Sequence, residues 1–184
     1  FQVDQEEHRR NFRTEHFIDD GTIAVCIVGR IVPIKNHELF IRSFANVKEQ
    51  YKGKMVGLIV GDGEDRAKME QLAVELSLTI STPENKIKGA DLIFTSWIFD
   101  VERSLAGSDI VAMTSLNEGT PVSLIEAQAA CKPIVTTEVG GIGNVVIPGI
   151  TALLSPSSDL NLFSDNLKRL VEDESLRNSM KNNG

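Results

Sequence analysis

Cysteine is scarce in this sequence, with only Cys26 and Cys131 among 184 residues. Both stand in apolar runs far apart in sequence. That excludes a disulfide framework or a Cys-x-x-Cys site and leaves buried free thiols as the expectation. The three histidines, His8, His16 and His37, have no zinc-ligand spacing among themselves or with the cysteines, so no structural zinc is expected. Basic charge is also in deficit, 19 Lys and Arg against 26 Asp and Glu, net −7. That balance argues against a nucleic-acid footprint. The longest wholly apolar run, Ile23 to Val28, is far too short to cross a bilayer, and no signal-peptide pattern opens the chain. A cytoplasmic protein is expected.

Several catalytic fingerprints are missing too. There is no Walker lysine motif and no nucleophile elbow. Gly61-Asp62-Gly63 begins like a dinucleotide fingerprint, but no third glycine comes after it at the right spacing. The chain starts at Phe1 without a methionine and ends on Lys-Asn-Asn-Gly. A piece of a longer protein is the expectation.

What is present is ordinary globular material, 41% hydrophobic, 24% charged and 5% aromatic, enough for one substantial core. Residues 1–20 are polar and charged, which reads as a solvated helix or linker anchored by Phe12 and Phe17. From there apolar strands alternate with amphipathic helices. The runs 22-TIAVCIV-28 and 55-MVGLIV-60 are continuously apolar, as strands buried on both faces should be. Between them, Phe40, Phe44 and Val47 recur at helical spacing, as do Met69, Leu72, Ala73 and Leu76 further on. Further strands are read at 91–95, 109–114, 133–137 and 151–154, and helices at 100–107, 121–131 and 159–172, with a last short helix after them. Asp109 reads as a strand-start residue.

Strands alternating with helices predict an α/β fold with a parallel sheet wrapped on both faces. Ligands then bind beyond the carboxyl ends of the strands. The residues just past each strand are unusual: Gly29-Arg30, Gly61-Asp62-Gly63, Ser96-Trp97, Ser115 to Glu118, and Val139-Gly140-Gly141. All fall on one rim.

Each of these residues has a bland reading beside a functional one. In Gly119-Thr120-Pro121, Thr120 suits a helix N-cap and Pro121 the first helical position. The amides of Val122 and Ser123 would then face an anion, phosphate above all, although simple capping accounts for the residues as well. Glu126 lies in an otherwise apolar helix. Either it occupies the solvent stripe or it accepts hydrogen bonds from a ligand such as a ribose. Arg30 and Lys35 are surface residues when taken singly, and a diphosphate clamp when taken together. Trp97 is either a core aromatic or a base-stacking wall.

Four collinear segments carry a likeness: 28-VGRIVPIKNHELFIRSF-44, 60-VGDGEDRAKMEQLA-73, 118-EGTPVSLIEAQAACKPIVTTEVGG-141 and 149-GITALL-154. Together they resemble the group 1 retaining glycosyltransferases, over roughly residues 20 to 175. The pair Glu118 and Glu126, with seven residues between, is the most specific mark. The resemblance implies a Rossmann-like doubly wound parallel sheet that forms the C-terminal, donor-binding half of a two-domain GT-B architecture. Residues 21–184 would be that domain, and the N-terminal acceptor domain would lie outside this chain.

Carried over, the likeness implies that Arg30 and Lys35 hold a donor diphosphate and that Glu118 contacts the donor sugar near its reacting carbon. Thr120, Pro121, Val122 and Ser123 would lie over phosphates and sugar, and Glu126 would accept from the ribose. Trp97 and Ile98 would enclose the nucleobase, while Gly29, Gly61 and Gly63 would let backbone approach the ligand. The implied partners are a nucleoside diphosphate sugar, as substrate rather than cofactor, and a glycan or lipid-linked acceptor, with no metal and no nucleic acid. The full-length enzyme could lie against the inner face of a membrane.

The pattern departs from the family at three places: Lys35-Asn36 for Lys-Gly, Gly119-Thr120-Pro121 for Gly-Phe-Gly, and Asn144 for Glu. Other readings considered are a sugar-nucleotide epimerase of the same fold, a non-catalytic subunit that keeps the fold, and half of a dinucleotide oxidoreductase.

Overall fold

The computed structural model describes residues 5–183. Residues 1–4 of the polar N-terminal segment lie outside them. The elements run α1 (Gln5–Glu15), β1 (Ile23–Val28), α2 (His37–Gln50), β2 (Met55–Val60), α3 (Arg66–Glu75), β3 (Ile80–Ser81), β4 (Leu92–Ser96), α4 (Val101–Gly107), β5 (Ile110–Met113), α5 (Val122–Ala129), β6 (Ile134–Thr137), β7 (Ala152–Ser155), α6 (Leu160–Glu172) and α7 (Glu174–Lys181). The expected strands and helices all form, and only the two-residue β3 is too short to read from pattern.

The seven strands are ordered β3-β4-β2-β1-β5-β6-β7, and every pairing is parallel. The chain therefore builds outward from β1 in one direction, then returns to add β5 on its other side. That reversal opens a crevice between the carboxyl ends of β1 and β5.

Side-chain alternation explains the two faces. Val25 and Ile27 of β1 join Phe40 and Phe44 of α2 and Phe163 and Leu167 of α6 in one core. Ala24 and Cys26, pointing the other way, pack with Phe12 and Leu58. Leu124 and Ala127 of α5 cover β5 and β6 on that second face. Burying each large apolar side chain contributes about 1.5–3 kcal/mol. No helix among the described residues is long and apolar enough to cross a membrane.

The polar N-terminal segment forms a helix, and its anchors differ from expectation. Phe12 is buried, while Phe17 is half exposed. The second anchor is Arg13, which is wholly buried. Its guanidinium donates to the carbonyls of Gly107, Asp19 and Thr22 and to Asp109. The Phe12 ring lies on Gly107, where any added Cβ would collide with it.

Asp109, just ahead of β5, does more than start a strand. Its carboxylate accepts from the Ala24 amide at 2.8 Å and pairs with Arg9 at 2.9 Å and Arg13 at 3.3 Å. Burial works to raise its pKa, but the amide and the two guanidiniums outweigh that and hold it below the usual carboxylate range. A depressed native pKa stabilises above the unfolded value, near pH 4, and the contribution is lost as pH falls through the folded value.

Asp109→Ala would take the carboxylate from two guanidiniums, leaving them only carbonyl acceptors, and the acceptor from one buried amide. A loss of about 3 kcal/mol is expected, read as a lowered urea midpoint at unchanged slope. The difference from the parent protein should shrink on acidification below pH 4.

Candidate functional site

The loops after β1 and β2 are laced together by backbone. Ile31 N–H donates to the Asp62 carbonyl, and Asp65 N–H donates to the Ile31 carbonyl. Such closeness requires glycine. A Cβ on Gly61, whose φ is +141, would strike the Gly29 carbonyl, and one on Gly63 would strike that of Ile31. What Gly61 and Gly63 admit here is thus the neighbouring loop's backbone.

Asp62 fixes the same junction from its side chain. It accepts from Ser96 Oγ at 2.7 Å, from the Gly63 amide at 2.8 Å and from Arg66 at 3.0 Å. The Ser96 hydroxyl leads in holding its carboxyl below the usual range; burial opposes, and the Gly63 amide and Arg66 add to the lowering. A one-residue shift of register between β2 and β4 turns Ser96 into that position.

Beyond Gly29 the chain makes a short 3-10 turn, Pro33–Lys35, and leaves it through Asn36 at φ 49, ψ 50. This is the left-handed region, which asparagine tolerates better than other non-glycine residues. Asn36 is therefore an acceptable replacement where the family pattern carries glycine.

Across the crevice, the end of β5 meets this turn. Thr114 Oγ1 donates to the Lys35 carbonyl at 2.9 Å, and Leu116 N–H donates to the Ile34 carbonyl at 2.8 Å. Glu118 is held from behind, its carbonyl accepting from Gly141 N–H at 2.9 Å. Added Cβ atoms on Gly140 and Gly141 would strike the Glu118 and Gly119 carbonyls. The Glu118 carboxylate then meets Lys35 Nζ at 2.6 Å and Ser115 Oγ at 2.5 Å. This pair is only partly exposed, 29% for Lys35 and 10% for Glu118. Arg30 is exposed and forms no ion pair among the described residues.

The start of α5 corrects the capping expectation. Pro121, at φ −77 and ψ 83, occupies the N-cap position, and no side chain caps the helix. Val122 N–H turns back to the Thr120 carbonyl at 3.0 Å, an inverse γ-turn centred on Pro121. Helical geometry begins only at Val122, so Thr120 lies outside the helix and the Val122 amide already has an acceptor.

Glu126 lines a cleft of about 230 Å³ with Phe99, Asp100, Val101, Glu102 and Leu105. Its carboxylate enters no side-chain hydrogen bond or ion pair among the described residues. Trp97 is 56% exposed, which rules out the core reading, whereas Ile98 packs, partly buried, against the core cluster that contains Phe12 and Cys26. Phe99, fully exposed beside Glu126, is missed by the sequence reading. Its signal is an aromatic immediately after the Trp97-Ile98 pair at a strand end.

A larger cavity, about 340 Å³, opens at the opposite rim near His16 and Tyr51. Its charges are already matched there, Lys48 with Asp91 and Lys54 with Asp19. The unspent polar groups lie on the carboxyl rim, where the structure brings together Gly29, Gly61, Gly63, Lys35 and Glu118, while Glu126 lines the separate cleft and Trp97 is exposed at the end of β4.

A doubly wound α/β domain with a lysine–carboxylate pair at its switch-point crevice defines a Rossmann-like ligand-binding domain. The chain belongs to the group 1 glycosyl transferase family, whose model, "Glycosyl transferases group 1", matches residues 8–184. It is similar to an uncharacterized glycosyltransferase of Methanocaldococcus jannaschii, 26% identical over 157 residues, covering 85% of this chain and 40% of that protein. The chain thus spans well under half the length of that relative.

The fold matches a crystal structure of the C-terminal domain of a group 1 family protein from Francisella tularensis. The TM-score is 0.78 at 19% identity, covering 98% of this chain and 89% of that one. It also matches Anabaena HepE in complex with UDP and glucose, TM-score 0.81 at 19% identity, covering 98% of this chain and 47% of that one. The architecture is the C-terminal half of GT-B.

Gly61→Ala tests the laced loops. Its Cβ meets fixed backbone in a conformation that alanine resists, so a loss of about 1–3 kcal/mol is expected. Thermal unfolding measures this, and an unchanged melting temperature would contradict the packing described.

Proposed function

We propose that this chain is the donor-binding domain of an enzyme that transfers a hexosyl group from a nucleoside diphosphate sugar to an acceptor, with retention of anomeric configuration. The observation that carries the reading is that Arg30 and Glu126 stand on one rim and that neither side chain has a partner among the described residues. A diphosphate answers the first and the vicinal hydroxyls of a ribose answer the second.

Lys35 already has Glu118 as counterion at 2.6 Å, so Arg30 brings the larger uncompensated charge toward the diphosphate. Lys35 joins it as the leaving group develops negative charge. Ser115 and Lys35 orient Glu118 toward the donor sugar. Trp97, Ile98 and the exposed Phe99 wall the nucleobase, and Thr120 to Ser123 close over phosphates and sugar. For Val122 to donate to an anion, its amide first has to leave Thr120.

On this reading residues 21–184 form the donor domain, and the acceptor is bound mainly by an N-terminal domain outside this chain. A saccharide or lipid-linked glycan is the acceptor class, and the enzyme works in the cytoplasm. No step requires a metal.

The test is calorimetry with UDP, GDP, ADP and NAD on the parent chain, Arg30→Ala and Glu126→Ala. One nucleoside diphosphate should bind, and each substitution should weaken it about tenfold to a hundredfold, since a charge-assisted hydrogen bond contributes about 1.5–3 kcal/mol. Preference for NAD, or affinity indifferent to both substitutions, would overturn the reading.

A further inference from the structure

Ser96, the last residue of β4, stands at φ 61. That is the left-handed region, where a β-carbon crowds the carbonyl that follows and serine does not rest by preference. Three contacts hold it there. Its hydroxyl donates to Asp62 Oδ2 at 2.7 Å. Its carbonyl accepts from the Gly61 amide at 3.1 Å and from Thr95 Oγ1 at 3.0 Å. Backbone strain of this kind persists only where the surroundings over-determine it, and it gathers at functional sites.

The bend decides how the next residues leave the sheet. Trp97 and Phe99 are presented to solvent, while Ile98 between them packs against the core. The Trp97 side chain enters no hydrogen bond or ring contact among the described residues. Its direction is therefore set by the backbone, through Ser96 on one side and Ile98 on the other.

Asp62 is spent on this bend. One carboxylate oxygen accepts from the Gly63 amide, and the other accepts from Ser96 Oγ and from Arg66 at 3.0 Å. Arg66 is itself fixed, by Glu70 at 2.7 Å on its own helix and by Glu84 at 3.3 Å in the β3–β4 connection. The carboxylate that holds Ser96 is thus braced from behind.

We infer that Asp62, braced by Arg66, is a positioning residue for nucleobase recognition. Through the Ser96 hydroxyl it fixes the bend after β4, and with it the direction in which Trp97 is presented. The assignment to the base rests on the proposed donor reading, in which Trp97, Ile98 and Phe99 wall the nucleobase. The fixing of Trp97 does not rest on it.

Trp97 is the only tryptophan in the sequence, so the chain's tryptophan fluorescence reports on this residue alone. Time-resolved anisotropy is recorded on the parent chain, Asp62→Ala, Ser96→Gly and the two changes combined. Arg66 keeps Glu70 and Glu84 in Asp62→Ala, and glycine enters the left-handed region without strain. In Asp62→Ala the fast local component of the decay should grow about twofold. In the Ser96→Gly background the bend no longer needs the carboxylate, so the same substitution should add nothing. An Asp62 that merely stiffened its own loop would act equally in both backgrounds.

Calorimetry on the same four proteins, with UDP, GDP, ADP and inorganic pyrophosphate, tests what the bend is for. Asp62→Ala should reduce the advantage of the bound nucleoside diphosphate over pyrophosphate about tenfold, with pyrophosphate itself bound as before. Unchanged anisotropy, equal effects in both backgrounds, or nucleotide and pyrophosphate weakened alike would overturn the inference. A parent chain that binds no nucleoside diphosphate would overturn the donor reading and, with it, the assignment to the base. The anisotropy separates that failure from a failure of Asp62 to hold Trp97.

Discussion

A parallel sheet covered on both faces leaves polar chemistry only two outlets, the ends of its strands, and this constraint orders the whole molecule. Strand interiors are mostly apolar, because an unpaired polar group there is costly, and the buried Thr136 and Thr137 hydroxyls at the end of β6 donate to the carbonyls of Thr137 and Ser115. The two ends are then used in opposite ways. At the amino end, Asp109 gathers Arg9, Arg13 and the Ala24 amide into a closed set of partners. At the carboxyl end, the side chains of Arg30 and Glu126 have no partner among the described residues. The ion pairs at one end hold the domain together, and the other end keeps Arg30 exposed.

Within the carboxyl rim, backbone contact does the positioning and side chains supply the charge. Glycine at 61, 63, 140 and 141 lets neighbouring loops come within contact of one another's carbonyls. Those contacts fix where Lys35 and Glu118 emerge. A carboxylate held by both Lys35 and Ser115 keeps little freedom to rotate, so on the proposed reading its geometry toward the donor sugar is set in advance. Glu126 is handled differently, its position fixed by the apolar helix around it and its oxygens left open.

Much of this was legible in the sequence, and the reasons for the exceptions are physical. Continuous apolar runs announced β1 and β2 because a doubly buried strand needs apolar residues on both faces. The rim was legible because each strand stopped at glycine or a polar residue. The isolation of Glu126 was visible from its apolar neighbours. The partners of Glu118 were not, since Lys35 lies 83 positions away in sequence. The burial of Arg13 was not legible for the same reason: a charged residue in a polar stretch is buried only because Asp109 and Gly107 come to meet it. The capping of α5 was misread because both Thr120 and Pro121 suit a helix start, and composition does not say which of them carries the turn.

The contact between Phe12 and Gly107 reaches beyond this single molecule. Position 107 has no room for any side chain while the ring at 12 stays in place, and that ring belongs to the cluster over Ala24 and Cys26. The two sites are therefore bound to drift together in descendants of this sequence, and in a fixed order. A smaller residue has to appear at 12 before a larger one can settle at 107. The intermediate carries a hole in its core, so the path between the two packed solutions runs through a less stable ancestor.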